Sequence, residues 1–134
     1  MRWRDLALIA LRWPEVSEGT SYGTPALKVR KSLLARHRPE DDSVVLLDVP
    51  PEERAHLIET MPDAFFCEPH YEPYAIVLAR LAPLPPDVAT RLLERRWRAT
   101  ATKAARAAAD GGSGLTPRRR PPGPAGPRRS PRPR

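Results

Sequence analysis

Cys67 and His70 are the side chains whose types and spacing first suggest catalysis. In a Cys-x-x-His arrangement, the imidazole can activate the thiolate as a nucleophile. Cys67, however, follows two phenylalanines in an expected strand, which favours a buried and inert thiol, and no acid or amide is placed by motif to orient His70. His37 and His56 lack the spacing to complete a zinc site. We therefore expect no enzymatic activity, no metal and no cofactor.

A second group of candidate residues surrounds two glycines. Gly19 and Gly23 are the only glycines before residue 111, and both lie in the segment EGTSYGTPALKV, residues 18–29. One interpretation is that they only allow positive backbone angles where the chain passes from the first helix into a strand, with Tyr22 packed as a lid. Alternatively, polar side chains here form a groove with a later loop and contact a ligand or a nucleic-acid backbone. The groove residues would be Ser21, Tyr22, Thr24, His70, Tyr71 and Tyr74.

Basic side chains cluster on the expected first hairpin. They are Lys28, Arg30, Lys31, Arg36 and Arg38. By strand alternation, Lys28 and Arg30 share one face, and Arg36 shares a face with Arg38. Such side chains neutralise phosphates and position a duplex without reading its sequence. The alternative is a solvated outer face, whose field the three acids at positions 40–42 partly cancel.

The last predicted helix carries a basic stripe at helical spacing, formed by Arg91, Arg95 and Arg98. Basic stripes are also common on helix faces that only meet solvent. This helix leads into the glycine-rich hinge GGSG and a tail of arginine and proline. The two could therefore act together on a polyanion.

The positive charge of the chain resides in that tail. The formal net charge is +7, yet residues 1–110 carry as many acidic as basic side chains. The tail contains arginines, including Arg118, Arg119 and Arg120, and no acid. Its composition cannot bury enough apolar surface to offset the entropy of ordering, so we predict disorder over residues 108–134. It either contacts nucleic acid or is a solvated extension.

The location of the protein is predicted from what the sequence lacks. A single cysteine excludes an intrachain disulfide, and the six-residue apolar run near the N-terminus ends without a cleavage site for a signal peptide. No apolar run approaches the length of a membrane span. We expect a cytoplasmic protein with no membrane contact.

Periodicity and turn residues predict the elements that position these side chains. Helices are expected over 2–12, from Pro51 and over 87–107, with the glycine segment as a loop. Strands are expected at ALKV, at SLLARHR, at 43–49, at 64–68 and at 75–81, of which 43–49 has the composition of a buried central strand. The order α-β-β-β-α-β-β-α favours a two-layer α+β fold, with helices packed on an antiparallel sheet, over residues 1–107.

The motifs SYGTPALKV and PHYEPYAIVLARL, with their order and spacing, resemble the MmcQ/YjbR family of small bacterial proteins over about residues 1–105. The resemblance implies an α+β domain with an antiparallel sheet and a DNA-binding role in which β-hairpins act as wings. The chain departs from the family pattern at the first hairpin, where Lys31 and Ser32 replace a glycine turn, and at Pro73, where glycine is common.

Two functions follow from these observations. The leading one is weak, largely non-specific binding of double-stranded DNA, through the basic hairpin, the last helix and the tail. The alternative is a protein-interaction or small-ligand module that uses the SYGTP and PHYEPY loops, with no nucleic-acid role for the fold. The location of the charge distinguishes the two functions. A DNA-binding fold normally carries its own positive field, whereas the formal charges of residues 1–110 sum to zero.

Overall fold

The computed structural model describes residues 1–112, which form four α-helices and six β-strands. The helices are α1 (Trp3–Ala10), α2 (Pro51–Thr60), α3 (Pro86–Thr100) and α4 (Lys103–Gly112). The strands are β1 (Val16–Ser21), β2 (Thr24–Val29), β3 (Ser32–Arg38), β4 (Ser43–Leu47), β5 (Phe65–Phe66) and β6 (Ile76–Arg80). Residues 113–134 lie outside the described part, and with them most of the predicted disordered tail, including Arg118, Arg119 and Arg120. None of the helices in residues 1–112 is long and apolar enough to cross a bilayer.

The strands form one antiparallel sheet in the order β1-β2-β3-β4-β6-β5, so the predicted α+β class is confirmed. The aliphatic run that was predicted as a central strand is β4, which pairs with β3 on one side and β6 on the other. Four of its five residues are buried. A nearly continuous apolar run is what a strand covered on both faces requires.

Helices α1 and α3 pack against each other and against one face of the sheet. Strand alternation sends a set of fully buried side chains to this face: Leu27, Ala35, Leu46, Val77, Ala79 and Phe65. Trp97 of α3 is also fully buried, donates its indole N–H to the Pro14 carbonyl at 2.8 Å, and stacks on Trp13 with ring centroids 5.8 Å apart. The opposite face of the sheet is only partly covered.

The prediction of a loop across the glycine segment was wrong, because residues 16–21 form the edge strand β1. This strand pairs only with β2, and most of its side chains are exposed on both faces. A strand with two wet faces has no apolar alternation, so its sequence resembles a loop. The turn that follows is Tyr22-Gly23, with φ of 53° and 76°. Positive φ at both central residues is the requirement of a two-residue type I′ hairpin.

The prediction of one helix over 87–107 was also wrong. Helix α3 ends at Thr100, because Ala101 adopts an extended conformation with ψ of 156°. Thr102 then caps α4, its hydroxyl oxygen accepting a hydrogen bond from the Ala105 backbone N–H at 3.1 Å. The described chain divides at this break into a compact unit, Met1–Ala101, and a second unit that begins at Thr102.

Replacement of Gly23 tests the turn. Nothing lies within 4 Å of a Cβ added there, so Gly23→Ala introduces only the backbone cost of φ +76°. We expect the free energy of unfolding, measured with urea, to fall by about 1–2 kcal/mol. Gly19→Ala is the matched control, since Gly19 lies in an extended strand and an added Cβ would meet only the flexible Lys28 side chain at 3.7 Å. An equal loss in both variants would contradict the assignment of the turn.

Candidate functional site

The partly open face of the sheet carries a cleft of about 600 Å³. Its lining residues are Tyr22, Leu33, Arg36, Val45, Leu47, His70, Tyr71, Tyr74 and Ile76, which we call the tyrosine cleft. The floor is apolar because four neighbouring strand side chains alternate to this face. The chain contains three tyrosines, and all of them line this cleft. A volume of this size lies within the range of small-molecule sites.

Arg36 is the charged group of the tyrosine cleft. Its guanidinium donates a hydrogen bond to the Tyr71 hydroxyl at 2.7 Å and a longer one to the Thr24 hydroxyl at 3.4 Å. It also lies 5.6 Å from the centroid of the Tyr22 ring, within cation–π range. Arg36 forms no ion pair with any residue in the described part of the chain. Its positive charge is therefore oriented by neutral groups and is not neutralised by a carboxylate of residues 1–112.

Tyr22 lies at the tip of the β1–β2 hairpin and is 92% exposed. A bulky residue with φ of 53° is an outlier, because its Cβ crowds the following carbonyl. The hydroxyl of Thr24 donates to the Ser21 carbonyl at 2.9 Å and closes the base of the turn. The hairpin thus holds an aromatic ring in solvent at the mouth of the tyrosine cleft.

The other wall of the tyrosine cleft is the segment from residue 69 to 76. It begins with one 3₁₀ turn, Pro69–Tyr71, and the His70 ring packs edge-on against Tyr71 at 4.9 Å. Arg54 of α2 anchors this segment by donating to the carbonyls of Tyr74 and Ile76, each at 3.0 Å, and to that of Glu72 at 3.2 Å. Tyr74 itself is 57% exposed. One guanidinium therefore sets the path of the wall that carries two of the tyrosines.

The basic residues predicted on the hairpin divide into two environments. Lys28, Arg30 and Lys31 form no ion pair among residues 1–112. Lys28 is the cross-strand partner of Leu33, so it shares the sheet face of the tyrosine cleft. Arg30 and Lys31 form the β2–β3 turn, with Arg30 at φ of 59°. This turn is at the opposite end of β2 from Tyr22, and its residues line a separate cleft with Thr100 of α3.

Arg38 lies in the second environment. Its side chain is only 8% exposed and is within 3.5 Å of carboxylate oxygens of Glu40, Asp41 and Glu68. Burial disfavours the charged form, but hydrogen bonds and charges from these acids outweigh it and raise the pKa of Arg38. The guanidinium lies 6.0 Å from the centroid of the Phe66 ring. Arg38 is thus oriented into the protein and not toward a phosphate in solvent.

The predicted basic stripe of the last helix is matched by acids. Glu53 of α2 accepts hydrogen bonds from Arg95 at 2.7 and 3.0 Å and from Arg91 at 3.5 Å. These bonds hold the pKa of Glu53 below its ordinary value of 4.5, and Glu53 in turn raises the pKa of Arg95. Arg98 pairs with Glu94 at 3.1 Å within the helix. The stripe joins α3 to α2, and its three arginines share two carboxylates.

The structure brings Tyr22, His70, Tyr71 and Tyr74 of the predicted groove together around one cleft. Thr24 touches Arg36, whereas Ser21 contributes its backbone carbonyl to the turn. The Cys67 thiol lies 3.6 Å from the Glu68 carbonyl, and the described part of the chain contains no hydrogen bond between Cys67 and His70.

Sequence reasoning did not identify three parts of this site, which are the apolar floor, the place of Arg36 and the anchor Arg54. The sequence predicts residues 43–49 as a buried central strand and places Arg36 among the phosphate contacts of the hairpin. Arg54 was not singled out, because its three acceptors are backbone carbonyls 18 to 22 residues away along the chain. Because every residue has a backbone carbonyl, the types of the acceptor residues do not indicate that an arginine binds there. Only the alternation of Val45 and Leu47 with buried neighbours hinted at a second apolar face.

Comparison with family models matches residues 11–99, more than half of the chain, to the family described as YjbR. Comparison with curated proteins gave no match, and comparison with solved structures gave none either. The matched range contains the β2–β3 hairpin and every residue of the tyrosine cleft.

Loss of the Arg54 anchor should loosen the cleft wall. Arg54→Gln removes charge-assisted hydrogen bonds worth roughly 1.5–3 kcal/mol each in comparable settings, so we expect a lower free energy of unfolding. We also expect faster hydrogen exchange confined to residues 69–76. Arg4→Gln is the control, since Arg4 makes one exposed ion pair with Glu18. Unchanged exchange across the wall segment would contradict the anchoring role.

Acid should remove the contribution of Glu53 to stability. Because its pKa is lowered on folding, that contribution is complete above pH 4.5 and is lost as the pH falls through the lower folded value. Glu53→Gln should therefore cost about 1 kcal/mol at neutral pH and progressively less below pH 4.5, measured by urea unfolding. Glu59→Gln, exposed on the same helix, should show no such dependence. A constant difference at all pH values would argue against the ion pair.

Proposed function

Because the chain belongs to the YjbR family, we propose that it binds nucleic acid through the β2–β3 hairpin and the face of the sheet beside it. One observation supports this location above the others. Lys28, Arg30 and Lys31 have no carboxylate partner among residues 1–112, whereas each arginine of the α3 stripe forms an ion pair with Glu53 or Glu94.

Binding of this kind is electrostatic and largely independent of sequence. Cationic side chains that neutralise phosphates release condensed counterions, so the affinity falls steeply with salt. Double-stranded DNA is the partner that the family resemblance suggests, with a β-hairpin that would act as a wing. Arg118, Arg119 and Arg120, outside the described residues, would add contacts from the tail. The proposed role is reversible binding in the cytoplasm, with no chemical step and no cofactor.

The tyrosine cleft supports a second candidate function. Its volume of about 600 Å³, apolar floor and single oriented cation fit an organic ligand that carries one anionic group. In that case the domain would be a ligand-binding or protein-interaction module, and the hairpin would have no part in recognition.

Removal of hairpin charge should weaken binding more than removal of helix charge. We expect Arg30→Gln/Lys31→Gln in the full chain to lower the affinity for labelled duplex DNA and to reduce the salt slope by about 2, since each lost phosphate contact changes it by about 1. Fluorescence anisotropy between about 50 and 200 mM salt measures this. Arg91→Gln/Arg98→Gln makes the same change in net charge and should have a smaller effect on the slope. Equal effects of the two pairs would contradict a hairpin site.

A tail variant separates the fold from the tail. Arg118→Gln/Arg119→Gln/Arg120→Gln in the full chain should weaken binding while leaving the contribution of the hairpin measurable. If this variant abolishes binding and the hairpin variant does not change it, the tail alone binds nucleic acid, and the proposed role of the fold is wrong.

A further inference from the structure

We propose that the tyrosine cleft receives the bases of a single-stranded nucleic acid whose phosphates contact the β2–β3 hairpin. This inference rests on the proposed function and narrows it, because it names the strand state of the partner and a stacking surface that phosphate contacts alone do not require. The proposed base-binding surface is the partly open face of the sheet. A hairpin that acts as a wing on a duplex would not need this surface.

Exposed aromatic rings at the mouth of the cleft provide the first argument. Tyr22 is 92% exposed and Tyr74 is 57% exposed, and Leu8 is the one other large apolar side chain of residues 1–112 that is similarly exposed. A duplex hides the faces of its bases in the stack and presents only edges and phosphates. A single strand offers unstacked faces, and stacking of a base on an aromatic side chain is favourable for every base. Rings displayed in solvent beside Arg36, which has no carboxylate partner in the described chain, therefore suit a single strand.

Arg36 provides the second argument. Its guanidinium is held by the Tyr71 hydroxyl and lies under the Tyr22 ring, and it lacks a carboxylate partner in the described chain. Two of its five N–H groups are used by the hydroxyls of Tyr71 and Thr24. The remaining donors can reach a phosphate oxygen or a base edge. An arginine beside stacked rings thus combines an anion contact with a cation–π contact.

The third argument is continuity between the cleft and the hairpin. Lys28 and Leu33 are cross-strand partners on the same face, and Leu33 begins the apolar floor of the cleft. Arg30 and Lys31 follow at the turn, a few residues along the strands. A strand of nucleic acid that runs along β2 would place its backbone at Lys28 and the turn, and its bases over the floor toward Tyr22 at the other end of the strand. A small molecule filling only the cleft would leave those three cations without a use.

Backbone strain at Tyr22 is the fourth observation. At φ of 53° an asparagine or glycine would fit the turn at lower cost than tyrosine. Strained backbone positions cluster at functional sites, and Tyr22 is the one aromatic residue among the five non-glycine residues of positive φ in residues 1–112. The ring is the part of Tyr22 that asparagine lacks, so the strained position points to a function of the ring.

The test uses the full chain with two fluorescein-labelled probes, a single strand of about 12 thymidines, a length within known site sizes, and a duplex of equal length. Tyr22→Asn keeps a residue suited to the turn and removes the ring. We expect it to weaken single-strand binding about five- to a hundredfold, as loss of one stacked base does, with the salt slope unchanged. Leu8→Gln, which removes another exposed apolar side chain, is the control and should bind normally.

A second readout reports on the cleft alone. Because all three tyrosines line it, every fluorine signal of protein grown with 3-fluorotyrosine comes from the site. We expect these signals to shift on addition of the unlabelled single strand, and to shift less with Arg36→Gln. This readout is independent of the hairpin and of the tail.

Each outcome bears on a different claim. Binding of the duplex without the single strand would overturn this inference and leave the proposed function standing. No binding of either probe at low salt would overturn both. Single-strand binding that is indifferent to Tyr22→Asn and leaves the fluorine signals unmoved would place the strand elsewhere and overturn the stacking surface, with a separate ligand or protein partner then the occupant to test.

Discussion

The packing of helices α1 and α3 on one face of the sheet is the constraint on which the remaining structure depends. Trp97, Leu46 and Val77 bury their side chains on that side. One layer of helices is enough to remove this apolar surface from water, so the hydrophobic effect does not require helices on the other face. The other face is then left to side chains that are partly apolar and to one short segment held by Arg54. Because that segment covers the face incompletely, a cleft remains between it and the β1–β2 hairpin. The cleft therefore exists because helices cover one face of the sheet and only a short segment covers the other.

Charge pairing separates the arginines that hold the domain together from those that can meet a partner. Glu53 ties Arg91 and Arg95 to α2, and Arg96 reaches the Asp48 carboxylate at 3.1 Å and the Leu33 carbonyl at 2.9 Å. Arg38 is surrounded by three acids. Residues 1–110, whose net charge is zero, can therefore present a local positive field, because the acids pair with one set of arginines and are missing at another.

The sequence predicted much of the fold and part of the site. Strands β4 and β6 were identified because long apolar runs leave few alternatives, and α2 because Pro51 fits the first turn of a helix. Strand β1 could not be recognised, since an exposed edge strand lacks apolar alternation. The break at Ala101 depends on an extended conformation that alanine rarely signals. The ion pairs of Glu53 join residues 38 and 42 positions apart, so the basic stripe of α3 looked free in the sequence.

The tyrosines of the cleft are held in place by the two loops that carry them. Tyr22 is carried by a two-residue turn whose geometry is fixed by the flanking strands, and Tyr71 is tied to Arg36 at 2.7 Å. A tyrosine has only two side-chain torsions to order, so a partner that contacts these rings loses little of its binding energy to immobilising them. The positive φ of Tyr22 destabilises the folded state and accompanies a ring that is 92% exposed. Gly23, which shares the turn at no steric cost, allows the domain to tolerate it.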